Sequence, residues 1–382
     1  MKQPEDCSDL MQTLCAYTDN STDNELCLDP NILESVDSQK KYSLLSTKFG
    51  KGRTVLHKAA QGGQPELFRC LVEQVSSSNR LELLSSKDDD GQTCLHLACE
   101  AKSADVVKCI MGFTTLEERP ELLLARNLDR MTPLHCASIS GDVNTVRFIF
   151  EYAPPDCLQT LIEAEDIARK TPLHFASQGF PDVLNVLLEY ILPERKNKLL
   201  SATDINECTP LHHASESGSV ATMRSILESV ALENRQALLL MINKKKQTAL
   251  HLACALDSAE KVKCIVDYMD KRNGENLLMI EDVEGNTALH LAASHGTTDK
   301  IVVYMLQSLN SNKQLHLLNK QNKQHKTALH VVAKQAVRQT LHKYKMSAQE
   351  EDSNRGNLFV CTLCFCQVCL IKNFLLALFY YV

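Results

Sequence analysis

One tetrapeptide returns eight times along this chain of 382 residues. It reads TVLH, TCLH, TPLH, TPLH, TPLH, TALH, TALH and TALH, and its histidines are His57, His96, His135, His174, His212, His251, His290 and His330. The intervals between them are 39, 39, 39, 38, 39, 39 and 40 residues. A period this regular means a row of similar supersecondary units, each too small to bury a core alone and each dependent on its neighbours. That constraint comes before any reading of single residues.

Aligning the units on the histidine shows their parts. Thr stands three residues before it in every unit and Leu one residue before it. Thr suits a helix N-cap, where its hydroxyl accepts from a free N–H of the first turn. Pro133, Pro172 and Pro210 follow the Thr at the first helical position, where a missing N–H costs nothing. Small residues stand three positions after the histidine: Ala60, Cys99, Ser138, Ser177, Ser215, Cys254, Ala293 and Ala333. They let a neighbouring helix approach closely. Gly63, Gly141, Gly218 and Gly296 lie six residues past the histidine and are expected to end this first helix. Lys102 and Asp257 replace Gly there in two units. A second helix follows, with apolar residues such as Val107, Ile110 and Met111 at helical spacing. Asp or Asn stands eight residues before the histidine in seven units, from Asp88 to Asn322, as suits a turn.

The pattern DxxGxTPLHxAxxxG, with two helices and a turn, resembles the ankyrin repeat. Residues 282–296, DVEGNTALHLAASHG, match it almost throughout, and the resemblance covers roughly residues 43–345. It implies an all-α solenoid of helix-turn-helix units joined by turns or hairpins. The ankyrin period is about 33 residues, so each unit here carries an excess. The excess contains an apolar pair ending at Leu45, Leu84, Leu123, Ile162, Leu200, Leu239, Leu278 and Leu318. We expect a longer second helix or a short extra turn there. After Ala333 the eighth unit loses the apolar pattern and reads as an incomplete cap.

Eight histidines in one register invite a metal or catalytic reading. Successive units place them about 10 Å apart, whereas zinc needs each ligand nitrogen at about 2 Å. One histidine per layer cannot converge. The resemblance implies a structural role, with the ring bonded to the Thr side chain and to nearby backbone. Cys70, Cys109 and Cys264 in the second helix, and Cys99 and Cys254 in the small-residue slot, read as packing positions. Gly50-Lys51-Gly52 lacks the rest of a phosphate loop, and neither GxSxG nor HExxH occurs. No cofactor and no catalytic residue is expected.

The domain reading is then four segments: 1–42, 43–345, 346–357 and 358–382. The first is acidic: residues 1–40 hold nine acids against Lys2 and Lys40, and 1–42 reads as a disordered or loosely capping segment. Its start, MKQPEDCSDL, shows no secretory signal. A cytoplasmic setting, with the sixteen cysteines reduced, is the expectation. Residues 346–357 read as a polar linker. The tail 358–382 is apolar, and three readings stay open. It could be a membrane anchor, interrupted by Lys372 and Asn373. Cys361, Cys364, Cys366 and Cys369 could bind a soft metal, although structural zinc sites use a longer loop between cysteine pairs. Or the tail departs from the native chain.

Function follows from the repeat. Such a stack leaves turn tips and one face of the first helices as a quasi-linear surface for a protein partner. The net charge of −6 argues against nucleic acid. On the first-helix face, four residues past the histidine, the candidates are Gln61, Glu100, Ile139, Gln178 and Glu216. On the tips they are Asp89, Asp90, Leu128, Asp129, Ile205, Asn206, Lys244 and Lys245. The alternative is of another class. LLARNLDRMTPLHCASISGDVNTVRFIF and TPLHHASESGSVATMRSILESV are similar to the cytosolic N-terminal repeats of TRPA-type channels. That resemblance implies a chain that continues past Arg355 into several hydrophobic spans.

Overall fold

The computed structural model describes residues 37–270 and 274–353. These residues fall into two compact units, divided between Asn234 and Arg235. The same repeat builds both, and it is helical throughout. Phe49 and Arg53 form an isolated bridge, and no strand occurs among the described residues.

Each repeat begins with the Thr-capped helix. In the third repeat this is Pro133–Ser140, with Pro at its start and Thr132 as N-cap. A second helix, Val143–Tyr152, follows, and the side chain of its N-cap Asp142 accepts from the Thr145 N–H. Then comes a third helix, Pro155–Glu163. The excess over a two-helix unit is therefore a separate helix, and not an extension of the second one. Prolines show why: Pro120, Pro155 and Pro193 sit in the first turn of their third helices, where they start a helix but cannot continue the one before. The second unit repeats the plan, for example as Ala288–His295, Lys300–Gln307 and Ser311–Asn319.

Within each unit, first helices pack on first helices, second on second and third on third. The apolar pair of the third helix is buried in every repeat, from Leu44 and Leu45 to Leu317 and Leu318. The third helix also serves the second. Arg80 Nε donates to the Val75 carbonyl at 3.1 Å, and Gln314 Nε2 donates to the carbonyls of Leu306 and Leu309 at 2.8 and 3.0 Å. Val75 and Leu309 lie just past the ends of their second helices, and the Leu306 carbonyl also accepts from the Leu309 N–H at 3.1 Å. Arg80, Arg119 and Arg235 also lie over the rings of Phe113, Tyr152 and Tyr268, 5.1–5.2 Å from the centroids.

The ends differ from the sequence reading. Residues 38–46 form a helix of the third kind, burying Leu44 and Leu45, within and just past the segment read as disordered or loosely capping. Residues 335–353 are helical, so helix extends into the expected polar linker as far as the described residues go. This helix buries Val337, Leu341 and Ala348, and Thr340 Oγ1 donates to Asp299 of the seventh repeat at 2.8 Å. It caps its unit in place of an ordinary second helix. Residues 1–36 and 354–382, including Cys361, Cys364, Cys366, Cys369 and the apolar tail, lie outside the described residues.

The first helices end where the glycines were expected to end them, at Gln61, Ser140, Glu216 and His295, but the backbone conformation of the glycines varies. Six residues past the histidine, Gly63 and Gly141 do take positive φ, but so do Lys102 and Asp257, at 58° and 52°. Gly296 is extended, at φ −58° and ψ 123°. Gly218 is needed for space instead: a Cβ there would sit 2.4 Å from the Ser177 carbonyl oxygen. The position that turns left-handed in every repeat is five residues before the histidine. Glycine fills it as Gly52, Gly91 and Gly285, while Arg130, Arg169, Glu207, Lys246 and His325 hold φ of 55–61° there. An L-residue in that region costs about 1 kcal/mol or more, so the surrounding bonds must over-determine the turn. Arg169→Gly is therefore expected to raise unfolding stability by about 1 kcal/mol. Gly91→Ala is expected to lower it, since its Cβ would lie 3.0 Å from the Leu128 nitrogen at a φ of +74°. Urea titration of the two variants reads both signs, and a neutral or destabilising Arg169→Gly would contradict this account.

Candidate functional site

Two surfaces meet at each turn, a buried seam and an exposed tip. The seam is built on the histidine. In all eight repeats Thr and His form a reciprocal cap: the Thr side chain receives the N–H at the third helical position, and the His ring receives the Thr N–H. In the third repeat the Thr132 N–H donates to His135 Nδ1 at 3.1 Å. Nδ1 is thus the acceptor, and Nε2 carries the proton. Nε2 donates to the Lys170 carbonyl at 3.1 Å, 35 residues onward in the next repeat. The same bond joins His57 to Gln92, His96 to Met131, His174 to Cys208, His251 to Asn286 and His290 to Lys326, at 3.0–3.3 Å. His330, in the last repeat, keeps its Thr327 cap but is exposed.

The tip is built on the Asp or Asn. Asp204 Oδ1 accepts from the N–H groups of Asn206 and Cys208 at 2.8 and 2.9 Å, and Asn243 does the same for Lys245 and Gln247. The next N–H along reaches back to the preceding tip. Leu128 donates to Asp90, Ile167 to Asp129 and Ile205 to Ala168, at 2.8–3.0 Å. In the second unit Val283 donates to Lys245 and Lys323 to Glu284, both at 3.0 Å. Adjacent tips are therefore held in register by backbone, and their side chains point outward.

The candidate residues map onto this frame. Asp89, Asp90, Leu128, Asp129, Ile205, Asn206, Lys244 and Lys245 are all exposed on tips. Gln61, Glu100, Ile139 and Glu216 are exposed on first helices, and Gln178 is half-buried. Two of these already have partners within the chain. Gln61 accepts from Arg53, which is also paired with buried Asp88 at 2.9 Å, and Glu100 accepts from Gln92. Burial raises the Glu100 carboxyl above its usual range. Ile167 was not among the candidates. It is 63% exposed and stands in register with Leu128 at 70% and Ile205 at 49%, which makes a row of three aliphatics on consecutive tips. The signal was in the sequence, as the residue seven before the histidine in three successive repeats.

The fifth repeat carries one further polar pair. His213 Nε2 donates to Asp204 Oδ2 at 3.0 Å, with both side chains buried, and its ring meets His174 edge-on at 5.7 Å. Burial lowers His213 despite Asp204 beside it. Burial alone would raise Asp204, but the Cys208 N–H and His213 bring it below the usual range.

Among the described residues, no group of three or more His, Cys, Asp or Glu is disposed to hold a metal ion. No disulfide joins the cysteines of the described helices, which are mostly buried, and burial pushes the Cys94 thiol up to about 12 and Cys99 well above its ordinary value. Both shifts oppose thiolate formation. No helix among the described residues is long and apolar enough to cross a membrane.

Burial also sets the charge of the seam. It lowers His96, His135 and His174 to about 4, and it lowers His57, His251 and His290 as well. Unfolded histidine titrates near 6.5. The unfolded chain thus binds protons that the folded chain refuses. Stability is full above about pH 6.5 and falls as pH drops toward 4. Urea midpoints measured at pH 7 and pH 5 are expected to show that loss, and His135→Gln to remove about 2 kcal/mol of it while lowering stability at pH 7. An unchanged pH dependence in this variant would mean His135 is not buried neutral.

Comparison with known proteins follows from this geometry. A profile described as ankyrin repeats (3 copies) matches residues 15–116, 83–156, 117–198 and 231–314, more than half the chain. The crystal structure of the ankyrin repeat domain of Bcl-3, a unique member of the IkappaB protein family, superposes with a TM-score of 0.50. It shares 21% identity, over 67% of this chain and 99% of that one, and it speaks for the fold. No curated protein matches the sequence.

Proposed function

The chain belongs to the ankyrin-repeat family, and from that premise we propose that it is a non-enzymatic scaffold for protein–protein interaction. The partner surface is the row of turn tips with the adjoining face of the first helices. One observation carries the reading: Leu128, Ile167 and Ile205 stand exposed, in register, on tips that their own N–H groups tie to the preceding tip. Exposed aliphatics on adjacent rigid turns contribute nothing to the core, and rows of this kind mark contact surfaces. Asp89, Asp90, Asp129, Asn206 and the first-helix residues Ile139 and Glu216 form its polar and apolar margins. Cysteines that form no disulfide among the described residues suit a reducing, cytoplasmic setting. The spans required for a channel would have to lie outside the described residues, as does the tail that would attach the protein to a membrane.

A photo-crosslinking side chain tests the surface directly. Placed at Ile167 of the full chain in cells, it is expected to give discrete protein adducts. Placed at exposed Glu194 on a third helix, it is expected to give none above background. Equal labelling at the two positions, or none at Ile167, would sink the reading.

A further inference from the structure

The tips of the second unit differ in chemistry from the aliphatic row of the first. The sixth repeat presents Lys244, Lys245 and Lys246, and the eighth presents Lys323 and Lys326, all exposed. The seventh repeat lies between them and presents Val283 and Glu284. The backbone bonds from Val283 to Lys245 and from Lys323 to Glu284 hold the three tips side by side. None of the five lysines forms an ion pair among the described residues, although Lys320 nearby is matched to Glu281 at 3.1 Å. Five exposed ammonium groups on a rigid row raise the local positive potential and favour an anionic partner.

Resting on the scaffold reading, we propose that this row docks an extended acidic polypeptide segment, with carboxylates at its two ends and apolar residues between. The carboxylates meet Lys244–Lys246 on one side and Lys323 and Lys326 on the other, while the apolar centre lies against Val283. Packed units stand about 10 Å apart, so three tips span about 20 Å, and a strand rising about 3.3 Å per residue covers them with six or seven residues. The break in charge selects polypeptide over nucleic acid. A uniform phosphate chain would pass over the exposed Glu284 carboxylate, and the row offers no aromatic platform for bases. A peptide with separated acids avoids the repulsion. Lysine fits this role, because its ammonium is a compact point charge with no demand for bidentate geometry.

The required pattern occurs in this chain, as DNELCLD at residues 23–29, which lie outside the described residues. A fluorescent peptide of residues 20–34 is therefore the probe, titrated against the full chain by polarisation. Binding in the micromolar range is expected, and it weakens at least threefold when salt is raised from about 50 to 300 mM, because the contacts are exposed charges. A variant with Lys244, Lys245, Lys323 and Lys326 all changed to Ser is expected to lose at least tenfold, with its urea midpoint confirming that it folds. Glu284→Gln is expected to strengthen binding about twofold or more, and it guards against a trivial loss of structure.

Failure of the peptide to bind, or equal binding by the lysine variant, overturns the proposal. So does a fifteen-nucleotide single strand that binds as tightly as the peptide and is lost in the same variant, since nucleic acid would then be the occupant. Specific adducts at Ile167 together with no peptide binding would leave the scaffold reading standing and sink this inference alone.

Discussion

The structure depends on a neutral imidazole that must satisfy two nitrogens in the absence of water. A buried polar atom without a partner costs one to three kcal/mol or more. Nδ1 finds its donor in the Thr N–H of its own repeat, while Nε2 finds its acceptor in a carbonyl of the next. Capping one helix and docking the following repeat are therefore a single requirement. A repeat taken alone can satisfy half of it. This gives a chemical basis to the nearest-neighbour character of repeat proteins. It also explains why the seam tolerates almost no change while the tips vary freely. His330 shows the converse: the cap persists, but the ring is exposed where a long helix replaces the usual second helix.

The third helix changes what the repeat can expose. By supplying Arg80, Gln159 and Gln314 to carbonyls at or just past the ends of second helices, it ties that margin to the third helix. Its apolar pair reaches into the core at every layer. The surface proposed for a partner is then the side bearing the tips and first helices. The longer period is an added wall on the side away from the proposed contact.

How far the sequence disclosed this follows from the strength of each local signal. The Thr–His cap, the small-residue slot and the turn Asp were legible because each demands a particular side chain at a fixed spacing. The third helix was only half legible. Pro120, Pro155 and Pro193 mark its start in three repeats, but Ser77 and Leu232 begin it with no comparable signal. The left-handed residue of the turn was not legible, because Asx bonds and the bond to the preceding tip hold the backbone whatever the side chain. Arg130, Arg169, Glu207, Lys246 and His325 therefore stand where glycine would be expected. The Asp204–His213 pair was hidden for a different reason. It joins a turn to the helix nine residues on, and only packing shows that the two side chains meet.

That same indifference is what makes the tips useful. At the positions seven and six before the histidine, the main chain makes the structural bonds and the side chains are exposed. Leu128, Ile167 and Ile205 can form an aliphatic row in one unit, and Lys244–Lys246 with Lys323 and Lys326 a basic row in the other, on an unchanged frame. Stability and recognition are carried by different atoms of the same few residues. A substitution at those two positions would alter the proposed contact without weakening the bonds that position it, whereas a substitution at the histidine would alter both, because the ring holds the turn of the next repeat in place.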